Sequence, residues 1–171
     1  MTKLVEYALT DDTYASSERR VRMKVREVKT ANPVCCVSTD TAQKAAQVLR
    51  DQHIGSLPVI RDQPSRQLVG MITDRDICCS IVGDGLDPKS TSIEKYISTD
   101  LVTCHDDDNL DKCEQAMQEH QIRRIPVVDD EGRCIGIVSQ ADLALKDKPD
   151  KVSRTVAEIS KPGPERPTIA A

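Results

Sequence analysis

"VGMITDRDI", Val69 to Ile77, and "IGIVSQADL", Ile135 to Leu143, are one short phrase written twice. Each runs through an apolar stretch with a central glycine (Gly70, Gly136) to a hydroxyl (Thr73, Ser139). Each then places an aspartate three residues on (Asp76, Asp142). The match extends upstream. "HIGSLPVI" (His53 to Ile60) aligns with "QIRRIPVV" (Gln121 to Val128), Pro58 on Pro126, an offset of 126 − 58 = 68. The same offset pairs Val25 with Ile93, Val34 with Val102, Cys36 with Cys104 and Ala42 with Leu110. Past the proline it becomes 136 − 70 = 66, because "RDQPSRQ" is two residues longer than "DDEGR". A polar, turn-rich stretch is where a length change is tolerated.

The chain is therefore two copies of one unit, residues 25–82 and 93–147. "GDGLDPKSTS" links them at 83–92, an N-terminal segment covers 1–24, and 148–171 follow. Each copy reads β-α-β-β-α. In the second, "LVTC" is strand-like. Leu110, Cys113, Ala116 and Met117 recur at helical spacing, and "RIPVVD" and "CIGIVS" are β-rich runs around the turn "DDEGR". "SQADLALK" opens a second helix. The first copy repeats this with "VCCV", "TAQKAAQVLRDQ", "LPVI", "LVGMIT" and "DRDICCSIV". A unit of about 55 residues is marginal alone, so a shared core is expected.

Composition narrows the function. Hydrophobic residues make up 38% of the 171 and charged residues 30%, with net charge −4, so no global charge invites nucleic acid or an anionic membrane. With three Tyr, no Phe and no Trp, platforms for stacking bases are nearly absent. No apolar run approaches the roughly 20 residues of a membrane helix, and "MTKLVEYALTDDTY" has no apolar secretory stretch. The expectation is a cytoplasmic protein. Seven cysteines, an odd number with two adjacent pairs, do not resemble a disulfide framework.

The repeated phrase has two readings. In the first, Thr73 and Ser139 are helix N-caps and Asp76 and Asp142 close capping boxes. The second keeps the caps and adds a ligand: a helix start with a hydroxyl accepts an anion, a glycine admits close approach, and a carboxylate can accept two hydrogen bonds from a ribose diol. Two copies in register strengthen the second reading.

With the "IGSLPVI…VGMITDRDI" and "IRRIPVV…IGIVSQADL" pattern, the chain resembles a tandem pair of CBS domains, a Bateman module. It is similar to small stand-alone bacterial CBS-pair proteins, including the hypoxic-response type. The resemblance implies an α/β fold, two repeats packed sheet to sheet with pseudo-twofold symmetry, and homodimerisation. It also implies two clefts that take adenosine-containing ligands such as AMP, ADP or ATP. By that resemblance Asp76 and Asp142 would hold ribose, Thr73 and Ser139 would lie near phosphates, and Val34, Ile54, Val102 and Ile122 would sandwich adenine. Arg123 and Arg124 replace Gly55 and Ser56 of the first copy and would reach phosphates. Arg75, where the second copy has Ala141, adds charge. Gly70 and Gly136 would give the ligand room. The implied role is a non-catalytic regulatory module that signals by conformational change, to an effector protein not identified by these residues.

Other constellations are weaker. There is no C-x-x-C pair, H-x-x-x-H, P-loop or G-x-S-x-G. The expectation is accordingly no required cofactor, no catalytic residue and no metal site. Cys104-His105 and Cys134 keep a thiol or metal sensor open, and a partner-binding scaffold with empty clefts is a further alternative. His53, His105 and His120 are expected on the surface. "RRVRMKVR" (Arg19 to Arg26) reads as an amphipathic lead-in, and Asp106–Asp108 as a helix start. Val152, Val156 and Ile159 mark a short packed helix before a Pro-rich end.

Overall fold

A computed structural model describes residues 23–161. The expectations for residues 1–22, including Arg19, Arg20 and Arg22 of the basic run, and for the Pro-rich end 162–171 lie outside the described residues.

The first unit comprises β2 (Cys36–Val37), α2 (Ala42–Asp51), β3 (Ser56–Ile60), β4 (Leu68–Thr73) and α3 (Asp74–Asp76), which continues as a wider π-helical stretch, Ile77–Val82. The second comprises β5 (Cys104–His105), α4 (Leu110–His120), β6 (Arg124–Val128), β7 (Cys134–Ser139) and α5 (Gln140–Lys146). This is the β-α-β-β-α order expected for each copy. In each unit a parallel pair (β2–β3, β5–β6) is followed by an antiparallel one (β3–β4, β6–β7). β3 is buried at every position. A strand covered on both faces needs a layer on each side. The turns join as well: Leu68 N donates to Gly132 O (3.1 Å) and Cys134 N to Arg66 O (2.8 Å).

The linear repeat and the packed unit differ at their leading edges. The single turn α1 (Val25–Val28) and the strand β1 (Thr30–Ala31) open the first copy in sequence but pack on the second. β1 pairs antiparallel with β7, and Val25 and Val28, both fully buried, share a core with Leu110, Cys113, Met117, Ile125, Val138 and Leu143. The residues opening the second copy do the reverse. Ile93, in a 3₁₀ turn, is fully buried with Cys36, Ala45, Leu57, Val59 and Ile72. Ser98 exchanges two backbone hydrogen bonds with Met71 of β4, at 2.8 and 3.0 Å. The units trade their lead-ins.

The acids 106–108 serve this exchange. The helix they precede begins later, at Leu110, capped by Asn109, whose side chain accepts from Asp111 N at 3.2 Å. Asp106 instead pairs with Lys29 (2.6 Å), and Asp107 pairs with Arg26. The described part of the basic run thus docks on the acidic run. The exposed Arg26–Asp107 pair contributes only about 0–1 kcal/mol, so fully buried Val25 and Val28, with the partly buried Lys29–Asp106 pair, carry the docking.

The last helix, α6 (Pro149–Ile159), lies on α4 and buries Val152, Thr155 and Ile159. Its inward face centres on Thr155, fully buried and bonded to Gln118 Nε2 at 2.8 Å, while Val156 is only partly buried. Lys151 of α6 pairs with Asp111 (2.6 Å), Asp147 (2.8 Å) and Glu114, which is 2% exposed. Burial raises the Glu114 carboxyl above its ordinary range, partly offset by Lys151. Burial works against the charge on Lys151, but its carboxylate hydrogen bonds win and raise it. A raised acid favours the folded state below its unfolded pKa and costs stability as pH rises through the folded value. Lys151→Met leaves Glu114 as an unpaired buried charge at pH 7, at a cost of about 1–3 kcal/mol. The loss in Tm should therefore shrink between pH 7 and pH 4.5, where Glu114 takes up its proton; an equal loss at both pH values would show that Lys151 acts through packing alone. Among the described residues no helix is long and apolar enough to cross a membrane.

Candidate functional site

The repeated phrase forms capping boxes in both copies. Asp76 N donates to Thr73 Oγ1 (3.1 Å), and Thr73 N and Oγ1 donate to Asp76 Oδ2 (2.9 and 2.7 Å). Ser139 and Asp142 repeat this at 3.2, 2.8 and 2.5 Å. The box engages one carboxylate oxygen and leaves Oδ1. In the second copy Thr30 Oγ1 approaches Asp142 Oδ1 at 3.3 Å. Among the described residues Asp76 Oδ1 has no such partner.

The glycines of the phrase do not face a ligand. A Cβ on Gly70 would stand 2.9 Å from Ile97 Cδ1, and one on Gly136 2.5 Å from Lys29 Cδ. The space that the sequence reading reserved for a ligand at Gly70 and Gly136 is filled by the exchanged lead-ins, because each crosses its partner's strand there. Ile97 is branched and packed, whereas Lys29 Cδ belongs to a flexible chain. Gly70→Ala should therefore cost about 1–3 kcal/mol in urea unfolding and Gly136→Ala clearly less. Equal costs would contradict this account of the contact.

The two helix ends before β3 and β6 aim the next candidates. His53 and Gln121 take left-handed conformations, φ 53° and 52°. Ile54 N then donates to Leu49 O (3.0 Å), and Ile122 N to Met117 O (3.1 Å), which closes each helix. The chain emerges with Gly55-Ser56 in one copy and Arg123-Arg124 in the other.

These pieces bring Thr73, Arg75, Val102, Ile122, Arg123 and Arg124 together around one cavity of about 580 Å³. The exchanged lead-in makes this possible, since Ser98 on β4 carries Val102 of the second copy to Thr73 of the first. Arg124 reaches across to the first unit. A Cβ on Gly55 would meet its Nη2 at 3.3 Å and Asp74 Oδ2 at 3.2 Å. The arginines thus serve the cleft that holds the first copy's phrase. Asp76 does not line this cavity; the cap holds it against Thr73. Val34, Ile54, Ser139 and Asp142 do not line this cavity; Val34 is 44% and Ile54 39% exposed, and Ile54 lies with Cys78 and Val82 around another. Ser56, Asp74, Ser98, Asp100 and His120 also line the arginine cleft, and sequence reasoning did not assign them. Ser56 is buried and its hydroxyl has no partner among the described residues. The offset of 68 could have found it opposite Arg124. Ser98 and Asp100 were hidden because the exchange leaves no local signal. Among the described residues no three His, Cys, Asp or Glu side chains converge as a metal site.

The family model of the CBS domain matches residues 25–83 and 93–147. The chain belongs to the CBS-domain family. This CBS pair is 34% identical over 119 residues to hypoxic response protein 1 of Mycobacterium tuberculosis, covering 70% of this chain and 81% of that protein. Among solved structures it is similar to hypoxic response protein I with two coordinated zinc ions (TM-score 0.66, 32% identity, 74% of this chain and 100% of that one). It is also similar to the CBS domain pair of protein MJ0100 in complex with 5′-methylthioadenosine and S-adenosyl-L-methionine (TM-score 0.64, 28% identity, 72% and 94%).

Proposed function

We propose that this CBS pair is a non-catalytic regulatory module that binds an adenosine-containing nucleotide of the AMP, ADP or ATP type in the arginine cleft. The observation that carries the reading is the cleft's composition. Apolar Val102 and Ile122, Thr73 at a helix start, and Arg75, Arg123 and Arg124 surround about 580 Å³, within the usual range for a small-molecule site. The apolar side chains suit a purine, and the planar guanidinium forks suit phosphates. We assign the ribose to Asp76 Oδ1, the oxygen the cap leaves, although Asp76 stands beside Thr73 and does not line the cavity itself. The adenosine ligands of the MJ0100 pair support the class. The ligand touches residues of both units, so it shifts their packing equilibrium by its differential affinity for the two arrangements.

A thermal-shift series against adenosine, AMP, ADP, ATP, NAD(H) and S-adenosylmethionine tests the reading. A ligand at about 100 times its Kd adds roughly 2.7 kcal/mol, a shift of a few degrees. Stabilisation by an adenylate exceeding that by adenosine supports it. No shift at millimolar concentration rejects it in favour of a partner-binding scaffold. One observation favours that second reading: Ile54 and Val82 are exposed apolar side chains around one cavity of the first unit, a surface suited to a homodimer mate or an effector protein.

A further inference from the structure

Seven cysteines remain without a role in the cleft, and their surroundings differ. Cys78 and Cys79 are exposed on the π-helical stretch. Cys36 is buried in the first core, its thiol pushed up to about 11 by burial. Cys104 and Cys113 lie deep in the second core, 2% and 0% exposed. Cys35 and Cys134 both lie against Arg66, where the two units meet. Cys35 sits just past the lead-in strand of the first copy. Cys134 opens β7 of the second, where Asn32 N donates to Ile135 O at 3.2 Å.

Arg66 sets this second pair apart. It lies in the turn between β3 and β4, in a left-handed conformation with φ 49°. Its Nε donates to Cys134 O at 2.9 Å and its Nη2 to Pro33 O at 3.1 Å. Its own carbonyl accepts from Cys134 N at 2.8 Å. Thus anchored on backbone from both units, the guanidinium places Nη2 3.4 Å from Cys35 Sγ. A fixed cation at a sulfur favours thiolate. Cys35 is half-buried and reachable, whereas Cys134 is fully buried behind it.

We propose that Cys35 and Cys134 are an oxidisable dithiol, with Cys35 the attacking thiolate, Arg66 its activator and Cys134 the resolving thiol. With hydrogen peroxide as oxidant, Cys35 Sγ attacks one peroxide oxygen. The O–O bond breaks, hydroxide leaves and takes a proton to become water, and Cys35 becomes a sulfenic acid. Cys134 Sγ then attacks Cys35 Sγ. The S–S bond forms as the S–O bond breaks, and the departing hydroxide takes the Cys134 proton as a second water. Two thiols lose two electrons and peroxide becomes two waters. The electrostatics agree with the assignment. Hydrogen bonding from Cys134, and then the charge of Arg66, lower the Cys35 thiol against its partial burial, while the same contact and burial raise Cys134. The disulfide would tie the first copy, beside Val34, to β7 of the second and so limit movement between the units.

The test uses the full chain carrying Cys78→Ser and Cys79→Ser, which removes the exposed thiols. It is treated with one equivalent of hydrogen peroxide at pH 7, quenched with N-ethylmaleimide and mapped by mass spectrometry without reductant. The expected product is a Cys35–Cys134 disulfide that dithiothreitol reverses, with Cys104 and Cys113 remaining reduced. Arg66→Met should slow its formation about tenfold, with Arg66→Lys in between. In Cys134→Ser, oxidation should stop at a Cys35 sulfenic acid that dimedone captures. Equal or faster formation of a Cys104–Cys113 disulfide, over-oxidation of Cys35 without a cross-link, or a wild-type rate in Arg66→Met would each overturn the proposal.

Discussion

Ile93→Ala is expected to cost about 2–5 kcal/mol of stability and to loosen the unit that Ile93 does not belong to in sequence. Ile93 opens the second copy, eleven residues past Val82, the end of the first copy (93 − 82 = 11). Yet it is fully buried among Cys36, Ala42, Ala45, Leu57 and Ile72 of the first. Its backbone is held there too, since Ile93 N donates to Asp40 O at 3.0 Å. Truncation leaves a cavity that these neighbours fill only partly. Urea unfolding gives the total cost, and native-state amide exchange locates it. Protection should fall first in β3 and β4, with Ile125, Val127 and Val138 retained. Loss of protection in β6 and β7 first would mean that the exchanged lead-in does not govern the first core. Val28→Ala is the mirror experiment, and its loss should appear in the second core.

The second large effect is on binding and depends on the proposed adenylate site. Arg124→Ala should weaken ATP by about 10–100-fold, which is the roughly 1.5–3 kcal/mol of a charge-assisted hydrogen bond, while adenosine affinity stays within about twofold. The reason is placement. Arg124 leaves the start of β6, crosses Gly55 and stands beside Asp74 at the start of α3, with Arg75 and Arg123 on the same cavity. Losing the guanidinium removes a contact to phosphate and none to the nucleoside. Isothermal titration of both ligands separates the cases. An equal loss for adenosine would make Arg124 a packing residue, and no loss for either would place the phosphates elsewhere. Ser56→Arg writes the second copy's residue into the first and asks whether the cleft's charge can be changed from the other side.

Much of this was legible in the chain. The caps at Thr73 and Ser139 are local, made by atoms three residues apart, and the sequence pattern names both partners. The α4 and α6 faces follow from apolar spacing, although Thr155 rather than Val156 proved the buried centre of α6. Gln118 offers a hydrogen bond there, a contact that periodicity does not encode. The Gly70 and Gly136 readings failed for a related reason. A strand glycine signals close approach without saying what approaches, and the answer was a side chain of the same protein.

By itself the sequence determined that there are two β-α-β-β-α units, where the helices capped by Thr73 and Ser139 start, and that Arg123-Arg124 stand against Gly55-Ser56, because turn chemistry, capping and apolar period act over a few residues. Tertiary structure alone decided that Val25 and Val28 join the second core and Ile93 the first. It also decided that the arginines share a cleft with Thr73, and that Arg66 sits between Cys35 and Cys134. Those outcomes depend on edge-strand pairing, ion pairs and burial between residues as far apart as Thr30 and Asp142, where many partners satisfy the local pattern and only packing selects among them.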